Sequence, residues 1–187
     1  MKKLLMGSIA FSAVFASPVS AATFVGDTFE GSYRHPNLQR TTIQGGAQVV
    51  SPTAQFTFPT GRINPTARIS ASNVLITFEG DGRYNPAEFN GISLQNLSRS
   101  DIAGFVLDPS STVVGFDQSR LSFTSDSLLF NFEGLRIQST DQVSANVSFI
   151  SSAVPEPASW GMMLLGLGVI GASFRRREKA KLRVSFA

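Results

Sequence analysis

The sequence predicts an all-β fold, an antiparallel β-sandwich or jelly-roll-like body with an N-terminal signal helix and a C-terminal transmembrane helix. Between residues 23 and 150, apolar side chains recur at every second position and no convincing helical period is present. Glycine, proline, asparagine and aspartate separate these runs at short intervals, which is typical of strands joined by turns. Two longer apolar runs, one near each end of the chain, are each bordered by basic residues.

The alternation divides the body into short predicted strands. In the second half they cover residues 121–123, 128–132, 135–137 and 143–149. In the first half they cover residues 24–33, 48–50, 55–58, 68–78, 91–97, 103–107 and 112–116. Gly45-Gly46 and Gly80-Asp81-Gly82 are among the predicted turns. The chain has 16 phenylalanines but only two tyrosines and one tryptophan, which favours a phenylalanine core over an exposed aromatic platform for sugars.

The N-terminus has the three parts of a secretory signal peptide. A basic start at Met1-Lys2-Lys3 precedes an apolar stretch over residues 4–15, which is too short for a stable membrane anchor. Val19 and Ala21 then occupy the −3 and −1 positions that signal peptidase recognises, which places cleavage after Ala21, with Ala22 as the alternative. We therefore assign residues 1–21 to a signal peptide and 22–150 to the β body. An N-terminal core helix is the alternative interpretation.

The second apolar run covers residues 158–174, about 17 residues or about 25 Å of helix, which is marginal for crossing a bilayer. Arg175, Arg176 and Arg177 begin the basic tail over residues 175–187. Basic residues on one side of a membrane segment predict that this tail is cytoplasmic and that the body is exported. The alternative is a glycine-rich core helix.

The charge of the chain is unevenly distributed. The whole sequence carries a formal charge of +3, yet the body between Thr23 and Val154 has eight arginines against eleven carboxylates, a net charge of −3. A mildly acidic body lacks the electrostatic footprint of a nucleic-acid-binding protein. The absence of cysteine excludes disulfides, thiolate metal sites and cysteine nucleophiles.

Residues 151–157 form a linker that ends in a Pro-Glu-Pro motif. Val154-Pro155-Glu156-Pro157 is followed by Trp160, the apolar run and the arginine triplet. This order of parts resembles the PEP-CTERM sorting domain. The resemblance implies recognition by an exosortase, a membrane-embedded protease or transpeptidase relative, and delivery to the cell surface or to an extracellular polysaccharide matrix.

The chemistry of the motif agrees with that resemblance. Pro155 and Pro157 fix their backbone φ angles and remove two amide donors, and proline biases its preceding residue toward an extended conformation. Such a rigid, unpaired segment suits a protease cleft, and Glu156 adds one charge for specificity. A plain proline-rich linker before a permanent anchor is the alternative.

No catalytic set is evident in the body. His35, the one histidine, lies in a loop-like stretch, and no Gly-x-Ser-x-Gly nucleophile motif is present. Glu30 with Glu79 or Glu88 would be a glycosidase pair only if a cleft brought the carboxylates to the required separation. We therefore expect a protein that is not an enzyme.

The densest group of oxygen donors comprises Glu79, Asp81, Asn85 and Glu88. Carboxylate and amide oxygens on a glycine-rich loop suit Ca²⁺, so this group is a candidate calcium site, although its spacing does not match a D-x-D-x-D-G loop. An ordinary solvated turn is the alternative. No other cofactor and no firm metal site is predicted.

Three functions remain open at this level. The first is a structural or adhesive component of the cell surface or matrix, with signal peptidase, exosortase and, transiently, the membrane as partners. The second is a module that binds extracellular polysaccharide or calcium. The third is a small matrix hydrolase. Nucleic acid is not expected as a partner.

Overall fold

The computed structural model describes residues 22–150 and 157–181 of the 187-residue chain. The β body and the helix belong to two separate compact units. The predicted signal peptide over residues 1–21, the linker over residues 151–156 and the end of the tail over residues 182–187 lie outside the described residues.

The body is built from short antiparallel strands, with a single-turn 3-10 helix at Gln118–Arg120. The strands are β1 (Thr28–Arg34), β2 (Thr41–Val49), β3 (Gln55–Thr57), β4 (Asn64–Ile69), β5 (Asn73–Glu79), β6 (Gly82–Arg83), β7 (Gly91–Asn96), β8 (Ile102–Leu107), β9 (Leu121–Phe123), β10 (Ser127–Asn131), β11 (Arg136–Ile137) and β12 (Gln142–Phe149). The prediction of an antiparallel, all-β body is confirmed.

The strands form two five-stranded sheets and one two-stranded ladder. The first sheet has the order β2-β1-β7-β10-β9, and the second has the order β3-β4-β5-β12-β8. The small ladder pairs β6 with β11. Every pairing is antiparallel, and several neighbours in a sheet are distant in sequence, so each sheet depends on long-range contacts.

The largest error in the predicted strands concerns β2. The sequence predicted a turn at Gly45-Gly46, but both residues lie inside β2. Gly31 pairs with Gly46 and Ser32 pairs with Gln44, so Gly45 is an extra residue that creates a β-bulge. Gly46 has a φ of 74°, a left-handed conformation that glycine adopts without strain. The two glycines therefore bend a strand instead of ending it.

Two further predictions of strand position were wrong. The predicted strand over residues 68–78 is a hairpin, because Ser70 donates its backbone N–H to the carbonyl of Asn73 at 2.9 Å and closes a turn. The predicted strand over residues 112–116 is a loop: Gly115 has a φ of 80°, and the N–H of Phe116 donates to the carbonyl of Val113 at 3.2 Å. The predicted Gly80-Asp81-Gly82 turn overlaps the start of β6.

Phenylalanine fills the core, as the sequence predicted. Both five-stranded sheets contribute side chains to one hydrophobic cluster. Phe130 of β10 is fully buried, and its ring meets that of Phe105 of β8 edge to face, with centroids 5.1 Å apart. Phe132 and Phe78 make a second such contact at 5.3 Å. Phe130 belongs to the first sheet and Phe132 follows β10 of that sheet, whereas Phe105 and Phe78 belong to the second sheet. Both edge-to-face pairs therefore link the two sheets.

The other unit contains the helix α1 (Pro157–Lys181), which covers the predicted apolar run. Along the side chains that the structure describes, large apolar residues are exposed, including Met162 at 73 % and Val169 at 67 %. Among the described residues, no helix combines the length and the apolar character needed to cross a membrane. The predicted transmembrane role of residues 158–174 is therefore not confirmed.

The phenylalanine contacts predict a large and specific loss of stability on truncation. Phe130→Ala should lower the free energy of unfolding of the 22–150 body by about 3–5 kcal/mol, because it empties a fully buried site that neighbouring strands cannot refill. Phe123→Ala is the matched control. Because the Phe123 side chain is 42 % exposed, this substitution should lower the free energy of unfolding by less than about 1 kcal/mol. Urea denaturation measures both, and equal losses would contradict this account of the core.

Candidate functional site

The predicted sorting residues fall partly within the described structure. Pro157 begins α1, Trp160 lies near its start, and Arg175, Arg176 and Arg177 lie toward its end. Val154, Pro155 and Glu156 lie outside the described residues, as do Val19 and Ala21 of the predicted signal cleavage site. Ala22 is the first described residue and is exposed. Where the structure describes its side chains, at residues 161–172, 174 and 175, α1 is largely apolar and exposed.

Arg99 joins the two ends of the body. Its Nε atom is 2.6 Å from Oδ2 of Asp27, and its Nη1 atom is 3.3 Å from Oδ2 of Asp101. Its Nη2 atom donates to the carbonyl oxygen of Thr23, directly after the predicted cleavage site. The Arg99 guanidinium carbon also lies 4.9 Å from the ring centroid of Phe149, close to the last residue of the body in sequence. One cation thus contacts both the first and the last segment of the body.

Aromatic and backbone contacts complete this chain-exit cluster, which we define as Phe24, Asp27, Arg99, Asp101 and Phe149. The rings of Phe24 and Phe149 meet edge to face with centroids 4.8 Å apart. The backbone N–H of Ile150 donates to the carbonyl of Asp101 at 2.8 Å. The chain therefore enters and leaves the body at the same end, and the sorting motif follows only a few residues later.

The opposite end of the body carries a groove. β1 runs from Thr28, next to the chain-exit cluster, to Arg34, and an extended strand of seven residues is about 20 Å long. Beyond Arg34, three adjoining depressions have volumes of about 470, 580 and 250 Å³. The first two share Arg62 and Arg83, and the last two share Asp81 and Arg136. We call this surface the arginine groove.

Polar side chains form one wall of the groove. The lining of its first depression includes Tyr33, His35, Thr42, Thr60, Tyr84, Asn85 and Asn90. The Tyr33 hydroxyl donates to Oδ1 of Asn90, and Nδ2 of Asn90 donates to the carbonyl of Asn85 at 3.0 Å. These bonds hold Asn90, which is itself buried, in a fixed orientation.

Tyr84 lies in the same wall and is only 4 % exposed. Within the described residues its hydroxyl has no hydrogen-bond partner. Burial raises the pKa of Tyr84 well above its ordinary value, and the neighbouring Tyr33 raises it further. Burial likewise raises the pKa of Tyr33. Both phenols therefore remain neutral donors at physiological pH.

The arginines of the groove lie close together. In the β6–β11 ladder, Arg83 is directly opposite Arg136. A side chain in place of the glycine at position 82 would come within 3.3 Å of Cδ of Arg62, so Arg62 lies against the same ladder. Gly80, with a φ of 88°, allows this approach, because a Cβ there would come within 2.3 Å of the Arg62 carbonyl oxygen.

The predicted calcium residues are dispersed over this region. Glu79 ends β5, while Oδ1 of Asp81 accepts from the backbone N–H of Ser139 at 2.6 Å. Asn85 lines the first depression, and Glu88 is exposed in the same segment between β6 and β7. Among the described residues, no three acidic or histidine side chains are grouped closely enough to hold a metal ion. The structure gives no support to the calcium interpretation, which stays a prediction.

The other candidate residues are also separated. Glu30 lies in β1 of the first sheet, where its Oε1 atom accepts from Nε2 of Gln44 at 2.5 Å. Glu79 belongs to the second sheet, and neither carboxylate lines the arginine groove. His35 is half-buried at the groove wall. Glu30 and Glu79 therefore lie in different sheets, which gives no support to that pair, and the pairing of Glu30 with Glu88 stays a prediction.

The sequence analysis predicted neither the chain-exit cluster nor the arginine groove. Arg99 lies far along the chain from its partners Thr23 and Phe149, and alternation does not report such long-range contacts. The groove arginines come from three loops or short strands that only the fold brings together. One feature of the sequence could have indicated an anion site: the body contains arginines but no lysine, and arginine favours planar, bidentate recognition of anions.

Comparison with known proteins identifies the C-terminal region. Residues 153–177 match the model of the PEP-CTERM protein-sorting motif. No curated protein and no solved structure matches the chain. The chain therefore carries the sorting motif that its sequence resembles, and the motif indicates an exported protein that a membrane enzyme, exosortase, processes.

The chain-exit cluster predicts coupled stabilisation of the two chain ends. Arg99→Gln should lower the free energy of unfolding of the body by about 1–3 kcal/mol, because it removes charge-assisted hydrogen bonds and exposes two carboxylates without their cation. It should also speed amide hydrogen exchange near Phe24 and Phe149 together. Arg68→Gln, at an exposed position of β4, is the matched control with the same change of charge. Faster exchange at one end alone would contradict the coupling.

Proposed function

We propose that this chain is a non-enzymatic exported protein that exosortase processes at its C-terminal motif and that then acts as a structural or adhesive component of the cell surface or extracellular matrix. The observation that carries the proposal is the PEP-CTERM motif at residues 153–177. A body with its own hydrophobic core precedes this motif, so removal of the C-terminal segment would leave the folded body intact.

The N-terminal signal fits the same route. Cleavage by signal peptidase after Ala21 would release a chain that begins just before Thr23, whose carbonyl accepts from Arg99. The new N-terminus would thus lie at a fixed point of the chain-exit cluster. Processing at the C-terminal motif would occur a few residues beyond Ile150 in the sequence.

We further propose that the body is a sandwich of the two five-stranded sheets. Their shared hydrophobic cluster and the edge-to-face contact of Phe105 with Phe130 support this arrangement. In a sandwich, the inward-facing residues of both sheets alternate with outward-facing polar residues along each strand. β5 has this pattern, since Val74, Ile76 and Phe78 are buried.

A second candidate function is carbohydrate binding, and the arginine groove is the observation that favours it. It is a concave, polar surface at the end of the body opposite the chain-exit cluster. Its stacking capacity is small, since Tyr33 and Tyr84 are both buried in the wall.

Processing predicts a defined mass for the exported protein. Intact-mass spectrometry of the outer fraction should find a chain that begins near Ala22 and ends near the Pro-Glu-Pro motif, without α1. Recovery of an intact C-terminus through Ala187 from that fraction would contradict the proposal.

A matched pair of variants tests whether the processing enzyme recognises the Pro-Glu-Pro motif itself. Pro155→Ala with Pro157→Ala should abolish processing, because the segment regains amide donors and loses its extended bias. Pro86→Ala with Pro109→Ala makes the same chemical change at exposed loop positions of the body and should leave processing unchanged. Normal processing of the first variant would show that the two prolines are not recognised.

A further inference from the structure

We propose that the arginine groove binds an acidic polysaccharide, with Arg83 and Arg136 recognising the carboxylates of its uronic acid units. The inference deepens the adhesive role proposed above by naming a ligand class. It is tested on purified protein, whereas sorting is tested by the mass of the exported chain, so either claim can fail alone.

The first step of the argument is the Arg83–Arg136 pair. Side chains directly opposite each other in an antiparallel ladder interact, and like charges in that position are destabilising. β6 and β11 are only two residues long, and Asp81, the carboxylate that lines the same depressions, forms no ion pair with either arginine in the described part of the chain. An anion between the two guanidinium groups would convert the repulsion into two attractions.

The second step is that these cations are available. The ion pairs present among the described residues are those of Arg99 with Asp27 and Asp101. Arg83, Arg136 and Arg62 are exposed at the groove and take no part in them. Nε of Arg83 donates to the carbonyl of Gly134 at 3.0 Å, which fixes the guanidinium plane and leaves its Nη atoms available to bind a ligand. A planar guanidinium held in this way suits bidentate binding of a carboxylate.

The third step is the buried Tyr84 hydroxyl. A buried polar group without a partner is costly, and few occur in native proteins. Tyr84 lines the depression that shares Arg62 and Arg83 with its neighbour, so this buried, unpartnered hydroxyl belongs to a residue of the groove wall. The wall also offers Asn85, and the hydroxyl oxygens of Thr42 and Thr60 as acceptors, since both hydroxyls already donate to backbone carbonyls.

These features select the class of ligand. Unpaired guanidinium groups favour an anion, and the adjoining amide and hydroxyl groups suit a ligand that carries hydroxyls. The three depressions adjoin along one surface, which fits several units of a chain better than a single small anion. Because Tyr33 and Tyr84 are buried, recognition here depends on charge and hydrogen bonds instead of ring stacking. A polyuronate meets all of these requirements.

The position of the groove supports the same interpretation. The chain leaves the body at Ile150, beside the chain-exit cluster, while the groove lies beyond the opposite end of β1. The groove is therefore remote from the point at which the chain leaves the body. The remainder of the body is net acidic and would not attract a polyanion, so binding should be confined to this surface.

The test is calorimetry of the full chain in detergent micelles with EDTA present, using oligogalacturonate as the probe. Oligogalacturonate should bind, and Arg83→Gln or Arg136→Gln should each weaken binding by about tenfold or more, as expected for a lost charge-assisted hydrogen bond. Tyr84→Phe should weaken it less. Arg68→Gln, an exposed arginine outside the groove, should bind like the parent protein.

Further probes distinguish the proposal from other outcomes. Neutral dextran should not bind, and equal binding of dextran would overturn the role of charge. Dextran sulfate that binds as tightly and depends on the same arginines would show general polyanion attraction and overturn the specificity for carboxylates. Absence of oligogalacturonate binding, or an equal loss in Arg68→Gln, would overturn the proposal.

A stability measurement guards against a trivial loss of binding through unfolding. Without ligand, Arg136→Gln should have an unchanged or higher Tm, because it removes one of two facing like charges. A markedly lower Tm would contradict the like-charge argument on which the proposal begins.

Discussion

The packing of phenylalanine rings in one shared cluster is the interaction on which the rest of the body depends. The chain has no cysteine, so no disulfide constrains its unfolded state, and residues 22–150 must be held by the burial of apolar surface. Phe105 and Phe130 come from different sheets and meet inside this cluster. With the strands fixed in this way, the two ends of the body can carry charged residues that the core does not need, and both candidate sites lie at these ends.

The two ends of the body differ in the way they use arginine. At the chain-exit end, Arg99 is neutralised by Asp27 and Asp101 and packs on the Phe149 ring, which secures the first and last residues of the β body. At the groove end, Arg83 and Arg136 face each other without an ion-pair partner in the described part of the chain. The same residue type therefore stabilises one end and leaves the other suited to a ligand. This asymmetry agrees with processing close to one end and exposure of the other.

The sequence predicted the all-β class, the phenylalanine core and the sorting motif because each depends on local order. Alternation marks a strand such as β12, and the motif is a short ordered run of residue types. Gly45 and Gly46 were misread, since glycine permits both a turn and a bulge and only pairing with Gly31 and Ser32 decides between them. The opposition of Arg83 and Arg136 depends on the register of a two-residue ladder, which no local pattern specifies.

The central claim is that the body is fastened at its chain-exit end and binds acidic polysaccharide at the other. Hydrogen–deuterium exchange of the full chain with and without oligogalacturonate tests it most directly, because it reports both ends in one experiment. The account predicts slower exchange in residues 59–63 and 82–90 on addition of the saccharide, with no change in residues 23–27 and 147–150. Slower exchange at the chain-exit end, or no change at either end, would contradict it.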